Sequence, residues 1–355
     1  MKTSEIGSTS GGQSGAPVPT APPEALMQLA MGGMVAQALA QVARYEVADH
    51  LAKGPSTVND LAALAGVNAD SLGRVLRCLE PFGIVEQIEP GTYQLLPMGE
   101  WLRSDVAGTL APFVRMMTDD WQWRSFGRLD YSVASGESSF ERLFGMPAFD
   151  YLWLHPGESA SFERAMVASA RHHHRGALAT YDLSGVKSLV DVGGGKGERL
   201  AAVLVDNPHL RGVLFEQARV VEDVGASFAA EGLAGRWSAV GGDLFSELPA
   251  GHDVYLLARV IHVWNEERAL ELLGNVKRAL PPHGKVLLLE SIVPEGGNAH
   301  ISKVLDLVML TVCGARERTA DEYVRLLAKA GLKVTRVQPT ETMVSVIEAV
   351  HEGAA

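Results

Sequence analysis

The stretch Ser188-Leu-Val-Asp-Val-Gly-Gly-Gly-Lys-Gly-Glu198 holds the residue types that bring a ligand against bare backbone. Leu189, Val190 and Val192 around Asp191 read as the end of a buried parallel strand. Gly193, Gly194, Gly195 and Gly197 then read as a tight turn, and Glu198 to Leu204 as a helix. Strand, glycine turn and helix together aim backbone N–H groups at a ligand. Glycine is needed because only it allows positive φ and close approach without a Cβ clash. The turn lacks the Lys-Ser/Thr ending of a P-loop, and its spacing is not Gly-x-Gly-x-x-Gly. Both facts point away from NAD towards a ligand with no pyrophosphate.

Other polar residues fall at the carboxyl ends of the strands that follow, where an open sheet of this kind binds its ligand. Glu216 ends the second strand, about 20 residues past the glycine turn, where a carboxylate takes both hydroxyls of a ribose. Asp243, within Gly242-Asp243-Leu244-Phe245, is placed to accept from an adenine amino group while Leu244 covers the ring. Arg259, His262 and Trp264 follow the fourth strand, and Glu290 ends the fifth.

The elements that position these residues read as an α/β catalytic half behind a mainly α segment. Strands are expected at Ser188–Val192, Gly212–Phe215, Trp237–Val240, Val254–Val260 and Val286–Glu290, alternating with helices. Val334–Val337 and Met343–Val350 form a closing pair of unsettled direction. The fold class is a Rossmann-like, doubly wound sheet. Ahead of it, residues 1–23 read as a disordered tail rich in Ser, Gly, Thr and Pro. Residues 24–53 carry Leu26, Leu29, Met34, Leu39 and Val42 at helical spacing with little charge, so an apolar face needs a cover. A second copy is the simplest cover, hence a homodimer arm. Thr57-Val-Asn-Asp60 reads as a capping box before a helix over 61–65, and 69–79 as a second helix. Ile84–Ile88 and Thr92–Leu96 form a hairpin around Pro90-Gly91. Residues 24–105 therefore read as a winged helix, 106–183 as a helical linker and pocket segment, and 184–355 as the catalytic domain.

Composition limits the alternatives. The 355 residues carry a net charge of −11 and are 47% hydrophobic. The winged helix's second helix has only Arg74 and Arg77 as cations. Both facts favour a dimerisation module over a nucleic-acid reader. Cys78 and Cys313 lie far apart, as reduced thiols in a cytoplasm would. No apolar run reaches membrane-spanning length, so no membrane partner is expected. His172-His-His174 invites a metal, but adjacent helical residues point in different directions and cannot all reach one ion. No metal is expected. In the aromatic-rich middle segment, Phe162 and Met166 lie one helical turn apart and are the candidate wall for a flat ligand. Trp121, Asp306 and Met309 join them as candidate substrate contacts.

From residue 24 to 350 the chain resembles the plant-type and bacterial small-molecule O-methyltransferases that use S-adenosylmethionine. The resemblance rests on Asp191-Val-Gly-Gly-Gly-Lys-Gly197, Gly241-Gly-Asp-Leu-Phe245 and Val260-Ile-His-Val-Trp-Asn-Glu266. Gly284-Lys-Val-Leu-Leu-Leu-Glu-Ser-Ile-Val-Pro294 and Gly314-Ala-Arg-Glu-Arg-Thr319 complete it. It implies a homodimer joined through the N-terminal domain and S-adenosylmethionine as cofactor. It places Gly193, Gly195 and Gly197, with Asp191, under the methionine part, Glu216 on the ribose, and Asp243 and Leu244 on adenine. Arg259 and Trp264 would line the cofactor as well. It makes His262 the general base, with Glu290 and Glu317 flanking it. A neutral imidazole near pH 7 can take a hydroxyl proton, and a carboxylate on its other nitrogen would fix the tautomer. The implied reaction is O-methylation of a hydroxyl, a phenol before others, on an aromatic secondary metabolite.

One departure stands out: the family usually carries Asp after the histidine, and here it is Val263. C- or N-methylation, hydroxylation, decarboxylation or pericyclic chemistry on the same fold stay open for that reason. A winged-helix, ligand-sensing regulator is the alternative from another class.

Overall fold

The computed structural model describes residues 21–353 apart from 223, 225–227 and 229–231, and leaves out the side chains of 170–176. The proposed tail lies outside the described residues up to position 20; a helix begins at Pro22.

The Pro22–Ala30 helix buries none of its own residues, and Leu26, Met27 and Leu29 are exposed. The next helix, Gly32–Arg44, buries Ala38, Ala40, Val42 and Ala43 against the rest of the N-terminal unit. Glu46, at φ 51°, ends the run and lets Val47–Leu51 turn back onto the same core. Helix Val58–Ala65 starts three residues earlier than its apolar pattern suggests, because Thr57 is its cap and accepts from the Asp60 N–H. The capping is one-sided. The Asp60 carboxylate takes the Thr57 hydroxyl at 2.6 Å. Gly66 closes the helix at φ 67°, and Asn68 caps the following helix, Ala69–Leu79. Leu72, Leu76 and Leu79 of that helix face the core. Strands β1 (Ser56–Thr57), β2 (Val85–Glu89) and β3 (Thr92–Leu95) form an antiparallel sheet in the order β1-β3-β2. Arg74, on the exposed face of the second helix, is paired with Asp70 at 2.9 Å.

Residues 106–183 are helical throughout their core and end in the long Pro156–Ala179 helix. Trp121, Phe140 and Leu152 are buried there, with Phe144, Tyr151, Phe162 and Met166 packed around them.

The catalytic half is a seven-stranded sheet: β4 (Ser188–Val192), β5 (Arg211–Glu216), β6 (Trp237–Gly241), β7 (Val254–Ala258), β8 (Lys285–Glu290), β9 (Leu332–Gln338) and β10 (Ser345–His351). Their order is β6-β5-β4-β7-β8-β10-β9. The first five run parallel, and β10 is antiparallel to both β8 and β9. This settles the direction of the closing pair: β9 and β10 are joined by a short connection, which suits an antiparallel pair. Two apolar layers cover the sheet. One contains Val190, Tyr255, Leu257, Val286 and Leu288; the other contains Leu189, Leu214, Leu256, Leu287 and Leu289. This alternation of neighbouring residues between layers is the pleat of a sheet buried on both faces. β4 lies between β5 and β7, which are wound in opposite directions from it, so a crevice opens at its carboxyl end.

Candidate active site

The site is built on the turn that follows β7. The strand ends at Ala258, two residues earlier than expected, because Arg259 takes φ 57° and turns the chain away. Ile261–Val263 then forms one 3-10 turn that holds His262, which is 6% exposed. Side chains from other elements satisfy this turn's backbone. Glu290, at the end of β8, accepts from the N–H groups of Val260 (3.2 Å) and Ile261 (2.9 Å). Arg318 donates to the carbonyls of Ile261 and Trp264, both at 3.3 Å. Buried backbone groups rarely go unpaired, and here charged side chains pair them.

The imidazole is held from one side. His262 Nδ1 lies 3.0 Å from Glu317 Oε1, and among the described residues nothing takes Nε2. Glu317 is fixed in turn. Its N–H donates to Asp306 (2.8 Å), and its carboxylate receives both terminal nitrogens of Arg259, at 2.8 and 2.5 Å. Arg259 also reaches Glu290 at 3.4 Å. The two carboxylates respond in opposite directions. Burial pushes the Glu317 carboxyl up, but His262 and Arg259 more than offset it and bring it down to about 2. Glu290 is fully buried, and there the burial prevails, so its carboxyl is raised despite His262 and Arg259 nearby. Donor atoms of His262, Glu290 and Glu317 lie within 4.8 Å of one another. That spacing would suit a metal ion, but the Arg259 guanidinium already occupies both oxygens of Glu317.

The glycine turn lies beside this one. A Cβ on Gly193 would meet Val260 at 2.9 Å, so the two turns are in contact. Gly193, Gly195 and Gly197 all have positive φ, and above Gly195 there is open space. Asp191 is fully buried. Its Oδ1 pairs with Arg199 at 2.7 Å, while its Oδ2 has no hydrogen-bond partner. Glu216 accepts from the N–H of Gly195 at 3.0 Å and of Gln217 at 2.8 Å, so its carboxylate lies against the glycine turn. Asp243 is exposed, with Leu244 half-buried beside it. Trp264 packs edge-on to Phe245, 4.8 Å between ring centres, and its buried Nε1 has no partner. An orphaned carboxylate oxygen, an orphaned indole N–H and a glycine floor are what an amino-acid-bearing nucleoside would complete. The residues therefore fit S-adenosylmethionine.

The other expected contacts take the following places in the fold. The guanidinium of Arg259 faces Glu317 and Glu290 rather than the glycine turn. Glu290 grips the backbone of the His262 turn and has no hydrogen bond to the ring. Asp306 acts on Glu317 through its backbone N–H. Trp121 is a core residue, 3% exposed and edge-on to Phe140. Phe162, Met166 and Met309 are half-buried, and Phe162 lies edge-on to Phe149. A cavity of about 530 Å³ runs beside the glycine turn, lined by Thr109, Glu163, Arg164, Lys196 and Glu198; His262 is not in its wall. The side chains of His172, His173 and His174 fall outside the described residues. Sequence reasoning missed the clamp by Arg318, although its segment had been singled out.

Two family models match. Residues 126–333 match the O-methyltransferase domain, and residues 27–105 the O-methyltransferase dimerisation domain. The chain is 38% identical over 324 residues to a phenazine O-methyltransferase of Lysobacter antibioticus, covering 91% of this chain and 95% of that protein. The solved structure of LaPhzM superposes with a TM-score of 0.87 at 37% identity, covering 94% of this chain and 100% of that one. A methyltransferase of calicheamicin biosynthesis in an SAH-bound form superposes at 0.84 with 36% identity, covering 93% and 98%. The chain is also 34% identical to an aclacinomycin 10-hydroxylase of Streptomyces purpurascens, over 85% of this chain and 82% of that protein. Among the described residues no single helix is long and apolar enough to cross a membrane. The chain belongs to the O-methyltransferase family, as an enzyme whose cofactor is S-adenosylmethionine.

Proposed function

We propose that this enzyme methylates a phenolic hydroxyl of an aromatic secondary metabolite, with His262 as general base. The observation that carries this reading is the 3.0 Å contact of His262 Nδ1 with Glu317 in a buried corner, which leaves Nε2 for the substrate. S-adenosylmethionine, when bound, supplies an electrophilic methyl group on a sulfonium. Gly193, Gly195 and Gly197 would hold its methionine part with Asp191. Glu216 would take the ribose, and Asp243, Leu244 and Trp264 the adenine.

The chain's own groups do the rest. Glu317 accepts from Nδ1, so it selects the tautomer with a free lone pair on Nε2 and stabilises the imidazolium once Nε2 takes the proton. General-base catalysis of this kind gives about 10²–10⁴-fold. Holding the reacting atoms in line can supply about 7–11 kcal/mol, so the apolar wall at Phe162 and Met166 counts for at least as much as the imidazole. The arrangement needs no metal, because Arg259 fills the place at Glu317 where one would bind.

The domain layout, with a winged-helix unit over 24–105, a pocket segment over 106–183 and a catalytic unit over 184–355, suits a homodimer joined through the first. The exposed Leu26, Met27, Leu29 and Met34 support that arrangement. A cytoplasmic enzyme with free Cys78 and Cys313 fits the same reading.

Incubation with methyl-labelled cofactor and a panel of phenols tests the proposal. Product one methyl heavier on oxygen is expected. The match to a hydroxylase and the Val263 substitution favour one second reading, chemistry without methyl transfer. Product gaining oxygen instead of a methyl would establish it.

A further inference from the structure

Arg259 stands out because its conformation is costly and its side chain is largely buried. It is one of two non-glycine residues with positive φ among those described, at a cost of about 1–3 kcal/mol. Its side chain is only 15% exposed. Such a group needs compensation, and it receives two hydrogen bonds to Glu317 and a longer one to Glu290. We infer that Arg259 is a positioning residue for the base: it clamps Glu317 and neutralises part of the charge of Glu317 and Glu290, so that the ring of His262 is held correctly turned and does not face two uncompensated carboxylates. The inference rests on His262 acting as the base.

Charge counting gives the sign. The groups facing Arg259 are Glu290 from β8, Glu317 from the segment before the Ala320–Lys329 helix and Tyr323 from that helix; Glu317 also holds His262 of the turn itself, and Arg318 acts on Tyr323. Asp306 stands behind Glu317. With Arg259 present, two carboxylates and one guanidinium surround the imidazole. Removing the guanidinium leaves the carboxylates uncompensated, and the corner then takes a proton more readily. A charge within a few ångströms of a titrating group generally moves its titration by about 1–3 pH units. A residue that only lined the cofactor would change cofactor binding and leave this titration alone.

The test compares Arg259→Met with Arg259→Lys. In Arg259→Met the acid limb of the kcat profile is expected to move up by about one pH unit or more. Its KM for S-adenosylmethionine should stay within about threefold, and Arg259→Lys should restore the limb towards wild type. An unmoved limb, or lost cofactor affinity with kcat kept, would overturn the inference. Proton NMR titration of the His262 ring, assigned by its absence in His262→Asn, reads the same shift without catalysis. An upward shift there with no phenol methylated by wild type would sink the proposed reaction while leaving the effect of Arg259 on the His262 ring established. If Arg259→Met does not fold, Arg259→Gln is titrated instead, with the same upward shift expected and the same null result against it.

Discussion

The His262 turn and the glycine turn sit side by side on one rim of the sheet, and they are finished to different degrees. In the first, Glu290 takes two backbone N–H groups, Arg318 serves two carbonyls, and Glu317 holds the imidazole. In the second, the buried Asp191 Oδ2 has no hydrogen-bond partner. A buried polar atom left unpaired costs about 1–3 kcal/mol. The difference teaches that the His262 turn is preorganised by the chain's own side chains, whereas the glycine turn keeps an unmet polar atom, as the proposed division between base and cofactor requires.

Removing the finished part should therefore cost rate, and altering the open part should cost affinity. The largest effect is expected for His262→Ala, a loss of about 10²–10⁴ in kcat with binding of S-adenosylhomocysteine unchanged by calorimetry. Glu317→Gln should lose about 10²-fold in kcat, because the amide cannot stabilise an imidazolium. This variant also has a pH signature. The Glu317 carboxyl falls from its ordinary 4.5 to about 2 on folding, so its stabilisation is present above pH 4.5 and lost as pH falls towards 2. That drop corresponds to about 3 kcal/mol, and the stability gap between Glu317→Gln and wild type in denaturant titrations should shrink over this window.

Gly194→Ala tests the open side. Its Cβ would lie 2.4 Å from Leu214 and 2.6 Å from Asp191 Oδ2. Cofactor affinity should fall about tenfold or more, with stability down by about 1–3 kcal/mol. Trp264→Phe should have the smallest effect: the unliganded protein keeps or gains thermal stability because an orphaned donor is gone, while the cofactor dissociation constant rises about threefold. Loss of kcat without loss of affinity in Gly194→Ala would erase the distinction between the two turns.

The same contrast explains what the sequence made legible. Apolar runs such as Val254–Ala258 and Lys285–Glu290 announced the parallel strands, since burial on both faces leaves no other pattern. The glycine turn could be read because glycine is required where Val260 and Leu214 crowd the backbone. His262 and the ends of β7 and β8 followed from topology. The pairing of Arg259 with Glu317, 58 residues away, could not be read, because nothing local says which way a long cation turns. The clamp of Arg318 on the His262 turn was hidden for the same reason. Asp60 misled slightly: it has the spacing of a capping box, but its carboxylate takes the Thr57 hydroxyl, whereas Thr319 and Glu322 form the full reciprocal pair.

The rate of methyl transfer by His262→Ala as a function of pH, with a simple phenol as acceptor, tests the central claim most directly. If Nε2 is the proton acceptor, the variant should be nearly silent at pH 7 and should recover as the free phenol ionises near pH 10. Wild-type turnover by the variant at pH 7, or a rate that stays flat through the phenol's ionisation, would contradict it.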